Sequence, residues 1–149
     1  MGSLRLPVSG FVYVDANVAV YTVENHPVYG PLCAPLWQAV AARALTVLTS
    51  ELTLLETLVA PLRSGDAALT QAYETLFQQP GTALVPITRD VLREAARLRA
   101  LIPGLRTPDA LHAATALLTG CALFVTNDTG FRRVPGLPLT LLDDVLAAS

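Results

Sequence analysis

Four carboxylates occupy unusual positions for acids, at the borders of apolar segments or inside one. They are Asp15, Glu56, Asp109 and Asp128. Asp15 and Asp128 each follow an apolar run, and Asp109 falls in the first turn of an expected helix. Glu56 interrupts an apolar stretch and has no cation three or four residues away. Because an unpaired buried carboxylate is costly, we expect Glu56 to have a distant partner or to reach a polar cleft.

If these acids gather in one place, the chemistry they could perform depends on a metal. Two carboxylates about 4 Å apart repel each other by about 4 kcal/mol at an effective dielectric constant of about 20. Without a cation, such a cluster would raise its own pKa values. Mg²⁺ or Mn²⁺, which suit carboxylate and water ligands, would remove this conflict. Taken singly, each acid could instead be a helix cap or the partner of an arginine such as Arg106 or Arg132.

The elements that must position these acids alternate between strand and helix. Apolar, β-favouring runs predict strands at residues 11–14, 45–49, 82–87, 122–126 and 139–142. Periodicity and turn residues predict helices at residues 35–44, 51–59, 66–78, 88–101, 108–119 and 143–148, with a loop at 25–35 and a turn at 61–65. This order predicts an α/β sandwich around a mainly parallel sheet of four to five strands, in one domain spanning residues 1–149. Sites in such sheets lie beyond the carboxyl ends of the strands.

Two local features of the predicted helices concern the acids directly. Thr107 is the expected N-cap of the helix that carries Asp109, and Gly120 is its expected end. Apolar residues nearly surround the helix that carries Glu56, which predicts that this helix is buried. These residues are Leu52, Leu54, Leu55, Leu58 and Val59.

The composition excludes several classes of function. All ten basic residues are arginine, so the chain has no lysine for a P-loop or a Schiff base. The net charge of −2 gives no general attraction to nucleic acid, which would need a local arginine patch or a metal bridge. Cys33 and Cys121 are expected to be free thiols, which fits a cytoplasmic protein without a signal peptide or a membrane span.

Four segments together resemble the PIN-domain ribonucleases, and most closely the VapC-like toxins of bacterial toxin–antitoxin pairs. They are V-D-A-N at 14–17, L-T-S-E-L-T-L-L-E-T at 48–57, T-P-D-A-L-H-A-A-T-A at 107–116 and F-V-T-N-D-T-G-F at 124–131. They occur in the family's order and are spread over nearly the whole chain. The resemblance implies a PIN-like three-layer α/β/α sandwich. It also assigns catalytic, metal-binding roles to the four acids, and supporting roles to Thr126 and Asn17.

The resemblance further implies an endoribonuclease that uses Mg²⁺ or Mn²⁺. Water would attack phosphorus in line, leaving 5′-phosphate and 3′-hydroxyl ends on the RNA. The implied partners are RNA, a small antitoxin whose tail blocks the acidic cleft, and a second copy of the chain. His112, three residues after Asp109 on the same helical edge, could be a ligand, a proton shuttle or a supporting residue. Possible RNA phosphate contacts are Arg132, Arg133 and Arg106, though a solvated arginine pair fits residues 132–133 equally well.

Two other readings remain open. The chain could be a catalytically silent PIN-like module that binds RNA or protein. It could also be a phosphatase or phosphoacceptor with Asp15 as the nucleophile. The missing lysine and the position of Glu56 count against the phosphoacceptor.

Overall fold

Five parallel strands form one sheet in the computed structural model, which describes residues 2–148. The strands are β1 (Phe11–Val14), β2 (Thr46–Ser50), β3 (Thr82–Val85), β4 (Leu123–Thr126) and β5 (Leu139–Leu141). Their order across the sheet is β3-β2-β1-β4-β5, and every neighbouring pair is parallel. The central strand β1 and its neighbour β4 therefore end side by side, with Val14 opposite Val125. Asp15 and Asp128 follow these two strand ends.

Helices cover both faces of the sheet, so the predicted α/β/α sandwich is confirmed. The α-helices among the described residues are α1 (Ala16–Val23), α2 (Tyr29–Ala41), α3 (Glu51–Ser64), α4 (Ala67–Gln78), α5 (Arg89–Leu101), α6 (Thr107–Thr119) and α7 (Leu142–Ala147). A 3₁₀ helix spans Thr129–Arg133. Within residues 2–148, no helix is long and apolar enough to cross a membrane.

The alternation of side chains along β1 separates the two main cores. Tyr13 points to one face, where it packs with residues of α5 and α6 and with Phe124 of β4. Val12 and Val14 point to the opposite face, where they pack with residues of α1, α2 and α7. Every interior position of β1 is therefore buried, as expected for the centre of a parallel sheet.

The structure corrects the predicted limits of two helices. The predicted loop at 25–35 is wrong from Tyr29 onwards, because α2 begins there and contains Pro35. Pro31 lies in the first turn of α2, where a backbone N–H has no partner within the helix and its loss costs little. The predicted turn at 61–65 is also wrong, since α3 continues through Pro61 and ends only at Gly65, which has the left-handed φ of 70°.

The predicted burial of α3 is wrong for two of its five apolar residues, since Leu55 is 62% exposed and Val59 is 42% exposed. Leu52, Leu54 and Leu58 are partly buried against the core. The fully buried residues of α3 are Thr53, Thr57 and Pro61. The threonine hydroxyls can be buried because they are paired. Thr57 Oγ1 donates to the Thr53 carbonyl at 2.8 Å, and the Thr53 hydroxyl is hydrogen-bonded in turn. The sequence pattern had no way to reveal this pairing.

The predicted cap of α6 is also wrong. Thr107 is the first residue of the helix, and Arg106 is the N-cap residue without a side-chain capping bond. The Thr107 hydroxyl instead accepts a hydrogen bond of 2.9 Å from Arg99. The predicted end of α6 is confirmed, because Gly120 adopts a left-handed φ of 65°.

Candidate active site

Asp15 lies at the carboxyl end of β1 and is the N-cap of α1. Its Oδ1 accepts the backbone N–H of Val18 at 3.3 Å, and its Oδ2 accepts the hydroxyl of Thr126 at 2.5 Å. Only 4% of Asp15 is exposed to solvent. The residue therefore combines two roles, as a helix cap and as a carboxylate held at the strand ends.

Burial raises the pKa of Asp15 above the ordinary value for an aspartate, because desolvation penalises the charged form. The hydrogen bond from Thr126, the nearby His112 and the N–H of Val18 oppose this shift, while the charge of Asp128 adds to it. Among residues 2–148, neither Asp15 nor Asp128 forms an ion pair with an arginine or a histidine. The two carboxylates thus repel each other without a guanidinium to neutralise them.

Thr126 connects these two acids. Its buried hydroxyl donates to Asp15 and accepts the backbone N–H of Asp128 at 3.0 Å. Asp128 Oδ1 in turn accepts the N–H of Gly130 at 2.8 Å, and this bond caps the start of the 3₁₀ helix. One hydroxyl at the end of β4 therefore fixes the arrangement of both carboxylate-bearing loops.

Glu56 has the distant partner that its sequence context required. Its Oε1 lies 2.6 Å from His112 Nε2, and His112 Nδ1 lies 2.6 Å from the hydroxyl of Tyr13. The side chain of Glu56 is 29% exposed, whereas His112 is 3% exposed. Hydrogen bonds occupy both ring nitrogens of His112. This geometry therefore favours a supporting role for His112 over a role as a metal ligand.

Asp109 lies in the first turn of α6, one helical turn before His112. Its Oδ2 is 3.4 Å from Arg106 Nε, and its side chain is 16% exposed. Arg106 is 74% exposed, so water screens this ion pair and its contribution to stability is small. Asp109 is consequently the one predicted acid that has an arginine partner.

The remaining predicted residues lie on the surface around these acids. Asn17 is exposed in the first turn of α1. Arg132 pairs with Asp144 at 2.9 Å, and Arg133 donates to the carbonyls of Pro103 and Gly130. Arginines 106, 132 and 133 thus all have partners within the chain, and an RNA phosphate would have to compete with them.

Sequence reasoning missed a second network beside Asp128. The side-chain carbonyl of Asn127 accepts the backbone N–H of Asp143 at 2.9 Å, and Tyr29 Oη donates to the Asp143 carboxylate at 2.6 Å. The position of Asn127 between Thr126 and Asp128 could have marked it as a candidate site residue. Its partners in α2 and α7 could not have been predicted, because they are distant in sequence and their contacts depend on how the helices pack.

A large cavity lies elsewhere, at the amino ends of β2 and β3. Its volume is about 1160 Å³, and its lining includes His26, Trp37, Arg43 and Gln79. None of the four acids lines it. The acids therefore identify the candidate site by their chemistry and not by the depth of a pocket.

The oxygen donors near the strand ends limit how the divalent cation that the resemblance implies could be held. Among residues 2–148, no three acid, histidine or cysteine side chains converge closely enough to enclose an ion. Asp15 and Asp128 nevertheless offer hard oxygen donors without a neutralising guanidinium. Mg²⁺ often binds through only one or two carboxylates and completes its shell with water and substrate phosphate. The fit is therefore that of an open two-carboxylate site.

Comparison with known families assigns the fold independently. A family model described as "PIN domain" matches residues 12–137. No curated protein matches the chain.

Solved structures with the same fold include several toxin–antitoxin proteins. VapBC2 of Rickettsia felis, bound to a DNA fragment from its promoter, has a TM-score of 0.71 at 20% identity, covering 88% of this chain and 98% of that one. A toxin–antitoxin complex from Klebsiella pneumoniae has a TM-score of 0.66 at 19% identity, covering 88% and 97%. VapC20 of Mycobacterium tuberculosis, described as a toxin that cleaves the sarcin–ricin loop, has a TM-score of 0.67 at 18% identity, covering 85% and 97%. At these identities the similarity establishes the fold.

Proposed function

This chain belongs to the PIN-domain family, and on that premise we propose that it is a metal-dependent endoribonuclease, the toxin of a toxin–antitoxin pair. The observation that carries the proposal is the buried Asp15, which shares the Thr126 hydroxyl with the loop of Asp128 and has no cationic neutralising partner among the described residues. Keeping a desolvated carboxylate beside a second acid is unfavourable unless a cation binds there. A structural role alone does not account for that cost.

In the proposed site, Asp15 and Asp128 hold Mg²⁺ or Mn²⁺. A bound divalent cation supplies Lewis acidity toward a phosphate oxygen and lowers the pKa of a water molecule. Thr126 keeps the two carboxylates in register. Glu56 and Asp109 contribute further negative charge and hydrogen-bond acceptors at the border of the site. Asn17 lies next to the carboxylates in the first turn of α1 and is available to orient water or phosphate.

The proposed partners follow from the proteins that share the fold. Because two of these structures are described as toxin–antitoxin assemblies, we include a cognate antitoxin in the proposal. A second copy of the chain is included only because the family resemblance implies one. The RNA substrate is proposed by analogy with the toxin that cleaves the sarcin–ricin loop. Arginines 106, 132 and 133 would exchange their present partners for RNA phosphates.

The experiment combines metal binding with cleavage. Mn²⁺ should raise the melting temperature of the wild type, because a ligand that binds only the folded state stabilises it. Asp15→Asn and Asp128→Asn should abolish that rise. The wild type should cleave a folded RNA in Mg²⁺ or Mn²⁺ and lose this activity in EDTA, and Asp15→Asn and Asp109→Asn should be inactive. Asp90→Asn, which alters an exposed acid on α5, is the matched control. Cleavage that persists in EDTA would contradict the metal mechanism.

A second candidate is a PIN-like module that binds RNA or protein without cutting it. The observation that favours it is the absence, among residues 2–148, of three converging metal-binding side chains. This candidate predicts RNA binding without any stabilisation by Mn²⁺, so the same melting experiment separates the two. A covalent phosphoacceptor is less well supported, because the chain has no lysine to pair with a phosphoaspartate.

A further inference from the structure

A buried relay of hydrogen bonds connects the sheet to Glu56. The backbone N–H of Ser50, at the end of β2, donates to Tyr13 Oη at 3.1 Å. Tyr13 Oη lies 2.6 Å from His112 Nδ1, and His112 Nε2 lies 2.6 Å from Glu56 Oε1. We infer that Tyr13 and His112 are positioning residues, which hold the Glu56 carboxylate in the orientation that a metal ion and its water molecules require. This inference rests on the proposed function.

The direction of each hydrogen bond follows from the groups themselves. An ionised carboxylate only accepts, so His112 Nε2 must carry the proton that faces Glu56. In the neutral ring His112 Nδ1 is then an acceptor, and Tyr13 donates its hydroxyl proton to it. The Tyr13 oxygen remains free to accept the N–H of Ser50. Every donor in the relay therefore has one acceptor, and the ring of His112 is confined to one tautomer.

Aromatic ring contacts also hold the side chains of the relay in place. The Tyr13 ring stacks on Phe124 with centroids 5.0 Å apart and meets the ring of His112 edge-on at 5.9 Å. Tyr13 is 0% exposed and His112 is 3% exposed. Glu56 lies at the solvent-facing end of this rigid line. Among the described residues only its Oε1 is engaged, so the other oxygen is available to a ligand.

Simple core packing does not explain a histidine at this position. Most of the buried residues beside His112 on α6 are apolar, and only Thr115 among them is polar: they are Ala110, Leu111, Ala113, Ala114, Thr115 and Ala116. A polar ring among them is unfavourable unless both nitrogens are paired, and an aliphatic side chain would fill the space without that requirement. Hydrogen-bonded residues that orient the groups around a metal ion typically change metal affinity or activity by about 10- to 100-fold when they are replaced. The relay orients Glu56, whose carboxylate borders the proposed metal site, in this way.

Two substitutions at one position separate positioning from packing. His112→Gln places an amide N–H where Nε2 lies, so the hydrogen bond to Glu56 can persist. His112→Asn places a polar group where Nδ1 lies, so the contact with Tyr13 can persist while the contact with Glu56 is lost. Both variants are polar, neutral and smaller than histidine, and their losses of folding stability should therefore be similar. Tyr73→Phe is the matched control for Tyr13→Phe, since Tyr73 is also fully buried and its hydroxyl also makes a side-chain hydrogen bond, which it donates to Glu24.

The first readout is the Mn²⁺ dissociation constant, measured by calorimetry or electron paramagnetic resonance without RNA. His112→Asn should weaken Mn²⁺ binding by about 10- to 100-fold, close to the effect of Glu56→Gln. His112→Gln should stay within a few-fold of the wild type, and Tyr13→Phe should fall between them. Tyr73→Phe should lose stability but bind Mn²⁺ as the wild type does.

The second readout is the tautomer of His112 in the metal-free protein, from long-range ¹H–¹⁵N correlation spectra. The wild type should show a protonated Nε2 and an unprotonated, hydrogen-bonded Nδ1, and Tyr13→Phe should shift the Nδ1 resonance. A proton on Nδ1 in the wild type overturns the relay. Equal Mn²⁺ affinities for His112→Asn and His112→Gln overturn the positioning role alone. A wild type that binds no Mn²⁺ overturns the proposed function, and this inference with it.

Discussion

At the scale of single residues, the Thr126 hydroxyl is the contact on which the candidate site depends. It donates to Asp15 and accepts from the backbone of Asp128, so it connects two acids that are 113 positions apart. A valine, similar in shape, would remove both bonds and leave a buried carboxylate without its strongest donor. The geometry therefore explains why a polar residue ends a strand that is otherwise apolar.

The raised pKa of Asp15 predicts how stability depends on pH in the metal-free protein. Below the ordinary aspartate pKa the carboxyl is protonated in both the folded and the unfolded state, so its burial costs little. As pH rises through the raised pKa of the folded state, the buried charge destabilises the fold. Asp15→Asn should therefore have a higher Tm than the wild type at pH 7.5, by about 2–4 °C for each kcal/mol relieved.

Thermal melts in EDTA at pH 7.5 and at mildly acidic pH test this prediction. The difference in Tm should shrink toward the acidic end. Asp90→Asn, at a position whose side chain is 82% exposed, should show no comparable gain. A wild type that is more stable than Asp15→Asn at pH 7.5 would mean that the hydrogen bonds from Val18 and Thr126 outweigh desolvation.

Part of this site was predictable from residue types alone. Asp15 and Asp128 follow apolar runs, and their positions at two strand ends could be read from the alternation of elements. The sequence predicted that Glu56 needs a partner, since it has no cation nearby on its helix, but it did not identify His112 as that partner. Its partner lies 56 positions away, and the rotation of α6 that presents His112 depends on packing that no local pattern encodes.

At the scale of elements, α3 carries Glu56 with a polar face toward the core. Thr53 and Thr57 are buried because their hydroxyls are bonded within α3 or to β2. Leu55 and Val59 consequently face solvent. The sequence predicted the existence of α3 correctly and the burial of Leu55 and Val59 wrongly, because hydrophobicity patterns count buried threonines as polar and cannot register their hydrogen bonds.

Two helix caps allow a test of how the start of α3 affects the site. Ser50 caps α3 by accepting the N–H of Leu52 at 3.0 Å, and Asp66 caps α4 by accepting the N–H of Leu69 at 3.0 Å. Ser50→Ala and Asp66→Ala should each lower the free energy of unfolding by about 1 kcal/mol, measured by urea denaturation. Only Ser50→Ala should also reduce RNA cleavage, because Ser50 adjoins both Tyr13 and the helix of Glu56. Equal activities would show that the start of α3 tolerates this disturbance.

At the scale of the whole molecule, the charge distribution limits how RNA can be held. The net charge is −2, and four of the ten arginines are engaged in ion pairs with acids. Arg133 and Arg99 donate to backbone carbonyls. A protein with this surface should make few phosphate contacts, unlike nucleic-acid-binding domains with a continuous basic face.

The measurable consequence is a weak dependence of RNA affinity on salt. With three arginines contacting phosphate, the slope of log K against log salt concentration should be about −2 for single-stranded RNA. Fluorescence anisotropy in EDTA, where no cleavage is expected, measures this slope. Arg132→Gln with Arg133→Gln should make it shallower by about 1.4, and Arg63→Gln, at the far end of α3, should not. A slope near −5 would reveal a basic surface that these arginines do not provide.

The fold class was predictable from alternating strands and helices, whereas the strand order was not. An order of β3-β2-β1-β4-β5 depends on which side each connection crosses, and the sequence records only the succession of elements. The central place of β1, and therefore the meeting of Asp15 with Asp128, is a property of the assembled sheet.

The hydrogen bond between Asn127 and α7 gives the carboxyl-terminal helix an influence on the acids. The family match ends at residue 137, before β5 and α7 begin. Asp143 nevertheless binds the residue next to Asp128, and Asp144 pairs with Arg132. A fusion partner or affinity tag appended after α7 would disturb the contacts of Asp143 and Asp144 with Asn127 and Arg132. Assays of cleavage should therefore compare tags at both chain ends before low activity is attributed to the chemistry.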